Sequence, residues 1–173
     1  MNDLIKDFIE KNVIDSLQTL LATNDEGEIS KTAPVVASQF GSGFDISTSE
    51  SVQKLITSFK KNLTLLIQKT WVDSADISLK EEILVKLDKY CASIEEGKWS
   101  EVFAPFTLML SDVIYLMFGS MAKTPDFAEY ALRIDPEFGI FWWYVKSLPA
   151  TNDWSNEKNK AVMLIAMFFL ANY

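Results

Sequence analysis

The sequence predicts an all-α fold: a compact bundle of about seven helices around one central apolar helix, with at most one small β-hairpin near residues 35–46. Three observations lead there. Apolar residues recur at three- and four-residue steps through most of the chain, as the 3.6-residue turn of a helix requires. The stretches with that period open on capping residues and close on glycine. The 173 residues are 49% apolar and 23% charged, a balance that suits one globular core rather than a disordered or fibrous chain. Residues 1–173 therefore read as a single domain, and no period of 20–50 residues repeats along it.

The first element runs from Asp3 to Thr23, where Leu4, Ile5, Phe8, Ile9, Val13, Leu17, Leu20 and Leu21 form one stripe and the turn formers Asn24, Asp25, Glu26 and Gly27 stop it. Between Glu28 and Ser47 Pro34 interrupts the period. Val35 to Phe40 and Phe44 to Ile46 flank Gly41, Ser42 and Gly43, the pattern of the small hairpin. Ser47 and Glu50, at capping-box spacing, open a helix whose stripe is Val52, Leu55, Ile56, Phe59, Leu63, Leu66, Ile67 and Trp71. Ser78 with Glu81 opens the next, which carries Ile83, Leu84, Leu87, Tyr90, Cys91 and Ile94 to Gly97. These two are expected to be antiparallel neighbours.

Ser100 is placed to cap a helix ending at Phe118. Its apolar residues point in nearly every direction, so this is the expected centre of the bundle. Thr124 before Pro125, and Asp135 before Pro136, each set a capping side chain ahead of a proline at the first helical position. The last helix starts near 152–155 and ends near Leu170. Its apolar run, Ala161 to Ala171, covers eleven residues, against roughly 20 for a bilayer span, so it is expected to be a buried helix rather than a membrane segment.

Composition excludes several chemistries. The chain has no histidine, which removes the commonest general base and transition-metal ligand and every Ser-His or Cys-His nucleophile. Cys91 is the only cysteine. On a helix stripe it reads as a small buried hydrophobe, and a single cysteine gives no internal disulfide; with Asp3, Asp7 and Glu10 breaking any leader-like start, a cytoplasmic location is expected. Gly41 and Gly43 lack the partners of a phosphate loop or a dinucleotide fingerprint. No cofactor or metal site is expected. Asp112, inside the most apolar helix, is the one carboxylate whose ionisation is costly, and a paired or rim position is favoured for it over catalysis. Asn62, Leu63 and Thr64 match a glycosylation sequon inside a helical pattern, which reads as chance.

The net charge of −8 repels nucleic acid and anionic lipid; it suits a basic protein partner, although maintaining solubility is the ordinary explanation of such a charge. The densest unusual feature is Phe138 to Tyr144. On a helix, Phe138, Phe141, Trp142 and Val145 share one face, Ile140 and Trp143 the opposite one, and Tyr144 lies between. A helix sandwiched within the fold is the ordinary explanation of this cluster, ahead of an exposed binding patch. For the patch, Trp143 and Tyr144, with Trp99 and Trp154 beside predicted helix starts, are the candidate partner-binding residues, because large rigid rings dominate interface anchors. The expected function is a non-enzymatic interaction protein of inhibitor, immunity or adaptor type, presenting an acidic surface with aromatic anchors. The alternative is a binder of a small apolar ligand held between helices and lined by Met109, Met117, Met163 and Met167. A carboxylate-dependent enzyme ranks last.

Overall fold

The computed structural model describes residues 3–8 and 15–173, and among them there are helices and turns but no strand. All seven expected helices are present, together with one that the sequence reading missed. Segments α1 (Asp3–Phe8) and α2 (Asp15–Ala22) take up the first; Ile9 and Val13 of its stripe lie outside the described residues.

The added helix, α3 (Glu26–Ala37), replaces the hairpin expected near 35–46. Asp25 caps it by accepting from the Glu28 N–H at 2.8 Å, and Glu26 and Glu28 place negative charge in the first turn, where the helix dipole favours it. Ile29, Ala33 and Val36 are buried at helical spacing, and a short 3-10 turn (Ser38–Phe40) carries the same face on to Phe40. Pro34 sits on the exposed side of this helix, and the carbonyl its missing N–H would have served belongs to the exposed Ser30.

Helix α4 (Ser49–Lys69) begins one residue later than the expected box. Asp45 accepts from both the N–H and the hydroxyl of Ser47, at 2.9 and 2.6 Å. That leaves Thr48 and Ser51 to form the reciprocal capping box. Helix α5 (Ile77–Glu95) grows out of a 3-10 turn (Ser74–Asp76) with no side-chain cap from Ser78. Helix α6 (Trp99–Phe118) starts before Ser100, whose N–H and hydroxyl instead donate to Asn156 at 3.1 and 3.3 Å. Gly97 and Gly119, at φ 82° and 68°, end α5 and α6 in the left-handed region that glycine tolerates. After the 3-10 turn Gly119–Lys123, Thr124 donates back to Met121 at 2.8 Å, so α7 (Phe127–Ile134) opens later than expected. Helix α8 (Pro136–Ser147) opens as predicted, with Asp135 accepting from Phe138.

Helix α9 (Asn156–Asn172) packs against α3, α4, α6 and α8, and every residue from Ala161 to Ala171 is buried. Helix α6 is the other central element, against α5, α8 and α9. The core face of α5 includes Ile83; on α4 it is Val52, Ile56, Phe59, Leu63 and Ile67, with Leu66 only half-buried beside them. Aromatic rings fill the space between α8, α9 and the Phe40 turn: Phe141 stacks on Phe169 at 4.2 Å, and Phe40 meets both edge-on.

The polar end of α9 is buried too. Lys158, 1% exposed, donates to the carbonyls of Leu21 and of Thr23 (2.7 Å for the latter) at the C-terminus of α2. Its ammonium lies 4.6 Å from the Trp154 ring centre. Burial pulls the Lys158 pKa below the ordinary lysine range, with Asp153 opposing, and the helix-end carbonyls and the ring face supply the negative potential that the buried cation requires. Asn159 beside it donates to Ser100 and to the carbonyls of Trp154 and Ser155 and accepts from Asn152.

Helices α7 and α8 are in close contact at Gly139, where an added Cβ would stand 2.6 Å from Leu132 Cδ2 and 2.8 Å from the Leu132 Cα. Overpacking costs about 1–3 kcal/mol, and a backbone neighbour cannot rotate aside. The roughly 1 kcal/mol that alanine gains over glycine in a helix does not offset it. Gly139→Ala is therefore expected to lose about 1–2 kcal/mol in urea denaturation; a stabilised variant would show that the two helices are not this close.

Candidate interaction surface

The fold does not gather the four candidate aromatic anchors on one surface. Trp99 is 4% exposed in the first turn of α6. Tyr144 is fully buried and donates its hydroxyl to the Val162 carbonyl at 2.6 Å, because α8 leans this side of its barrel on α9. Both are therefore core residues, which corrects their expected exposure. Trp154 is half-buried, edge-on to Phe103 at 5.5 Å and beneath Lys158. Trp143 is also half-buried, against Leu132 and Ile140, and its indole N–H is enclosed without a partner among the described residues. The face assignment in this helix does hold: Phe138, Phe141, Trp142 and Val145 are buried, and Ile140 and Trp143 are less so.

The exposed tryptophan lies elsewhere. Trp71 is 82% exposed, although helical periodicity would place it under Ile67 in the core. The reason is the end of α4. Lys80, from α5, donates to the Gln68 and Thr70 carbonyls at 3.0 and 2.9 Å, a cation set on the negative end of the helix. Thr70 then turns to extended backbone, φ −71° and ψ 121°, and Trp71 swings off the helix into solvent. It joins Val72, Ile77 and Leu84 along an open groove of about 480 Å³ between the end of α4 and the first turns of α5. Lys69 stands on the α4 wall and Glu81 on the α5 wall. Ile77, 48% exposed, extends the apolar surface.

A second groove, of about 430 Å³, runs between α3, the 43–47 loop and the start of α9. Ile29, Phe44 and Ile46 form its apolar lining, and Glu26, Asp45 and Glu157 stand against a single Lys160. The two bonds from Ser47 hold the Asp45 carboxyl below its usual pKa range, which keeps it anionic and fixed in direction. Neither groove is lined by a methionine; Met109, Met163 and Met167 are buried in the packed core.

The remaining candidates for chemistry are positioned as structure. Among the described residues no group of three or more acidic or cysteine side chains is close enough to hold a metal ion. Asn62 of the sequon is half-buried and donates to the Ala171 carbonyl, tying α4 to α9. Trp99–Lys123 is long and apolar enough, by length and composition, to cross a membrane; here its buried residues pack on α5, α8 and α9. Cys91 is buried, and that burial pushes its thiol pKa up to about 11. Burial also lifts the half-buried Asp112 above the usual carboxylate range, with Glu82 adding to the rise and Lys86 and Lys123 pulling against it. No protein-family model, curated protein or solved structure matches the chain.

Two outcomes follow from these environments. The Cys91 thiolate is scarce at neutral pH and shielded, so a thiol-specific reagent is expected to label it only at the rate of unfolding; fast stoichiometric labelling of the native protein would contradict this. For Asp112 the folded pKa lies above the unfolded one, so its ionisation opposes folding. That destabilisation is complete above both values and absent below both. Asp112→Asn should therefore melt higher than the parent at neutral pH, and the difference should vanish as the pH falls below about 4. A constant difference across that range would locate the effect in packing rather than charge.

Proposed function

We propose that this chain is a non-enzymatic interaction protein that engages a partner protein through the groove at the α4–α5 junction. The observation that supports this reading is Trp71. An indole offers about 150–250 Å², so its burial at about 25 cal/mol per Å² is worth roughly 4–6 kcal/mol before the entropy of association is subtracted. The fold leaves that surface in water at a point where Val72, Ile77 and Leu84 extend it. Solvent-exposed tryptophan beside an apolar groove is the composition of an interface centre, where Trp is enriched and lysine and glutamate lie at the rim.

The acidic groove at α3 and α9 favours a second docking mode, for a basic segment with apolar flanks. Glu26, Asp45 and Glu157 outnumber Lys160 around its apolar lining, in a protein of net charge −8. Attraction of this kind raises the on-rate and weakens as salt is added.

The Trp71 reading is tested by capturing partners from the native host on the immobilised protein, purifying the dominant one, and measuring its affinity for the parent and for Trp71→Ala. The variant is expected to bind at least about 2 kcal/mol more weakly, as at an interface hot spot, while its unfolding free energy changes by less than about 0.5 kcal/mol, as at an exposed position. Equal affinity for both forms would refute Trp71 as the anchor.

A further inference from the structure

We propose that the partner which fits the Trp71 groove is a second copy of this chain, joined across a two-fold axis; this rests on the reading of Trp71 as a contact surface. A protein of net charge −8 resists approach by its own copy over most of its surface. The Trp71 groove carries both signs: Lys69 and Lys80 line it with Glu81, and Asp73 and Asp76 stand in the segment between Val72 and Ile77, so its charges can be met by those of a second copy. Lys80 is already committed to the Gln68 and Thr70 carbonyls. The ammonium of Lys69 and the carboxylate of Glu81 form no ion pair among the described residues, so both are left to pair with an incoming group.

Those two charges stand on opposite walls, Lys69 on the α4 side and Glu81 on the α5 side, with Trp71, Ile77 and Leu84 in the same groove. An isologous interface sets the same patch against itself, so each residue of one protomer meets its counterpart's neighbours in reciprocal fashion. A rotation that lays the α4 wall of one copy on the α5 wall of the other puts Lys69 opposite Glu81 twice, and brings the two Trp71 rings and their aliphatic neighbours into the centre. A patch of one sign could not do this, and the acidic groove at α3 and α9 would repel its own copy.

The test is sedimentation equilibrium on the full chain over micromolar to millimolar concentrations, for the parent, Trp71→Ala, Lys69→Glu, Glu81→Lys and the double variant Lys69→Glu/Glu81→Lys. The parent is expected to shift from monomer to dimer mass as concentration rises. Trp71→Ala should weaken the association by at least about thirtyfold. Each single charge reversal, acting twice in a symmetric contact, should weaken it by about tenfold, and the double variant should recover to within about threefold of the parent. A parent that is monomeric throughout, or a double variant no better than the singles, overturns the proposal. The heterologous-capture measurement separates its failure from that of the broader reading: a monomeric parent whose captured partner is still lost on Trp71→Ala overturns self-association and leaves the groove as a contact surface for another protein.

Discussion

A helix that is apolar around its whole circumference is stable in water only if something covers every side of it, and α9 is such a helix. From Ala161 to Ala171 every residue is buried. The positions of α3, α4, α6 and α8 follow from that requirement, since each covers one side. The same constraint explains the polar ends. Asn159 and Lys158 enter the core with the helix, and each then needs partners that water can no longer supply. Asn159 finds them in Ser100, Asn152 and its own cap; Lys158 finds them in the Leu21 and Thr23 carbonyls at the end of α2.

Two lysines in this fold have the same task. Lys158 satisfies the C-terminus of α2, and Lys80 that of α4. In both cases the last carbonyls of a helix, unpaired within it, meet a cation from an element distant or next in sequence. The consequences differ. The first clamp is buried and ties the N-terminal segment to the centre of the bundle. The second lies at the surface and ends α4 where it does, which delivers Trp71 to solvent rather than to the core.

Much of this architecture was legible in the sequence, because most of its elements are determined within one or two turns. The stripes of α4 and α5, the cap at Asp135 and the division of α8 into two faces all depend on spacing that can be read directly. Helix α3 was legible too: Ile29, Ala33, Val36 and Phe40 keep the helical step, and the misreading came from giving Pro34 and the nearby glycines more weight than that step. Trp71 and Tyr144 are different. The exposure of the first depends on where Lys80 reaches, and the burial of the second on where the Val162 carbonyl lies. Neither can be deduced from the local pattern, since both are set by packing between elements. The acidic groove was invisible for the same reason, being made of side chains from three separate stretches of chain.

The enclosure of α9 also bears on how the chain reaches its fold. The surfaces that α9 covers belong to helices made before it, and the Lys158 bonds join positions 137 and 135 residues apart. Contacts of such long range delay folding, because loop closure precedes any gain from them. On a ribosome α3, α4, α6 and α8 must wait with their inner faces uncovered until α9 emerges, and a nascent chain in that state presents the kind of apolar surface that holdase chaperones bind. Closure of this core is therefore a late, concerted event rather than a progressive one, and a ribosome stalled before α9 would leave an aggregation-prone product in place of a partly working one.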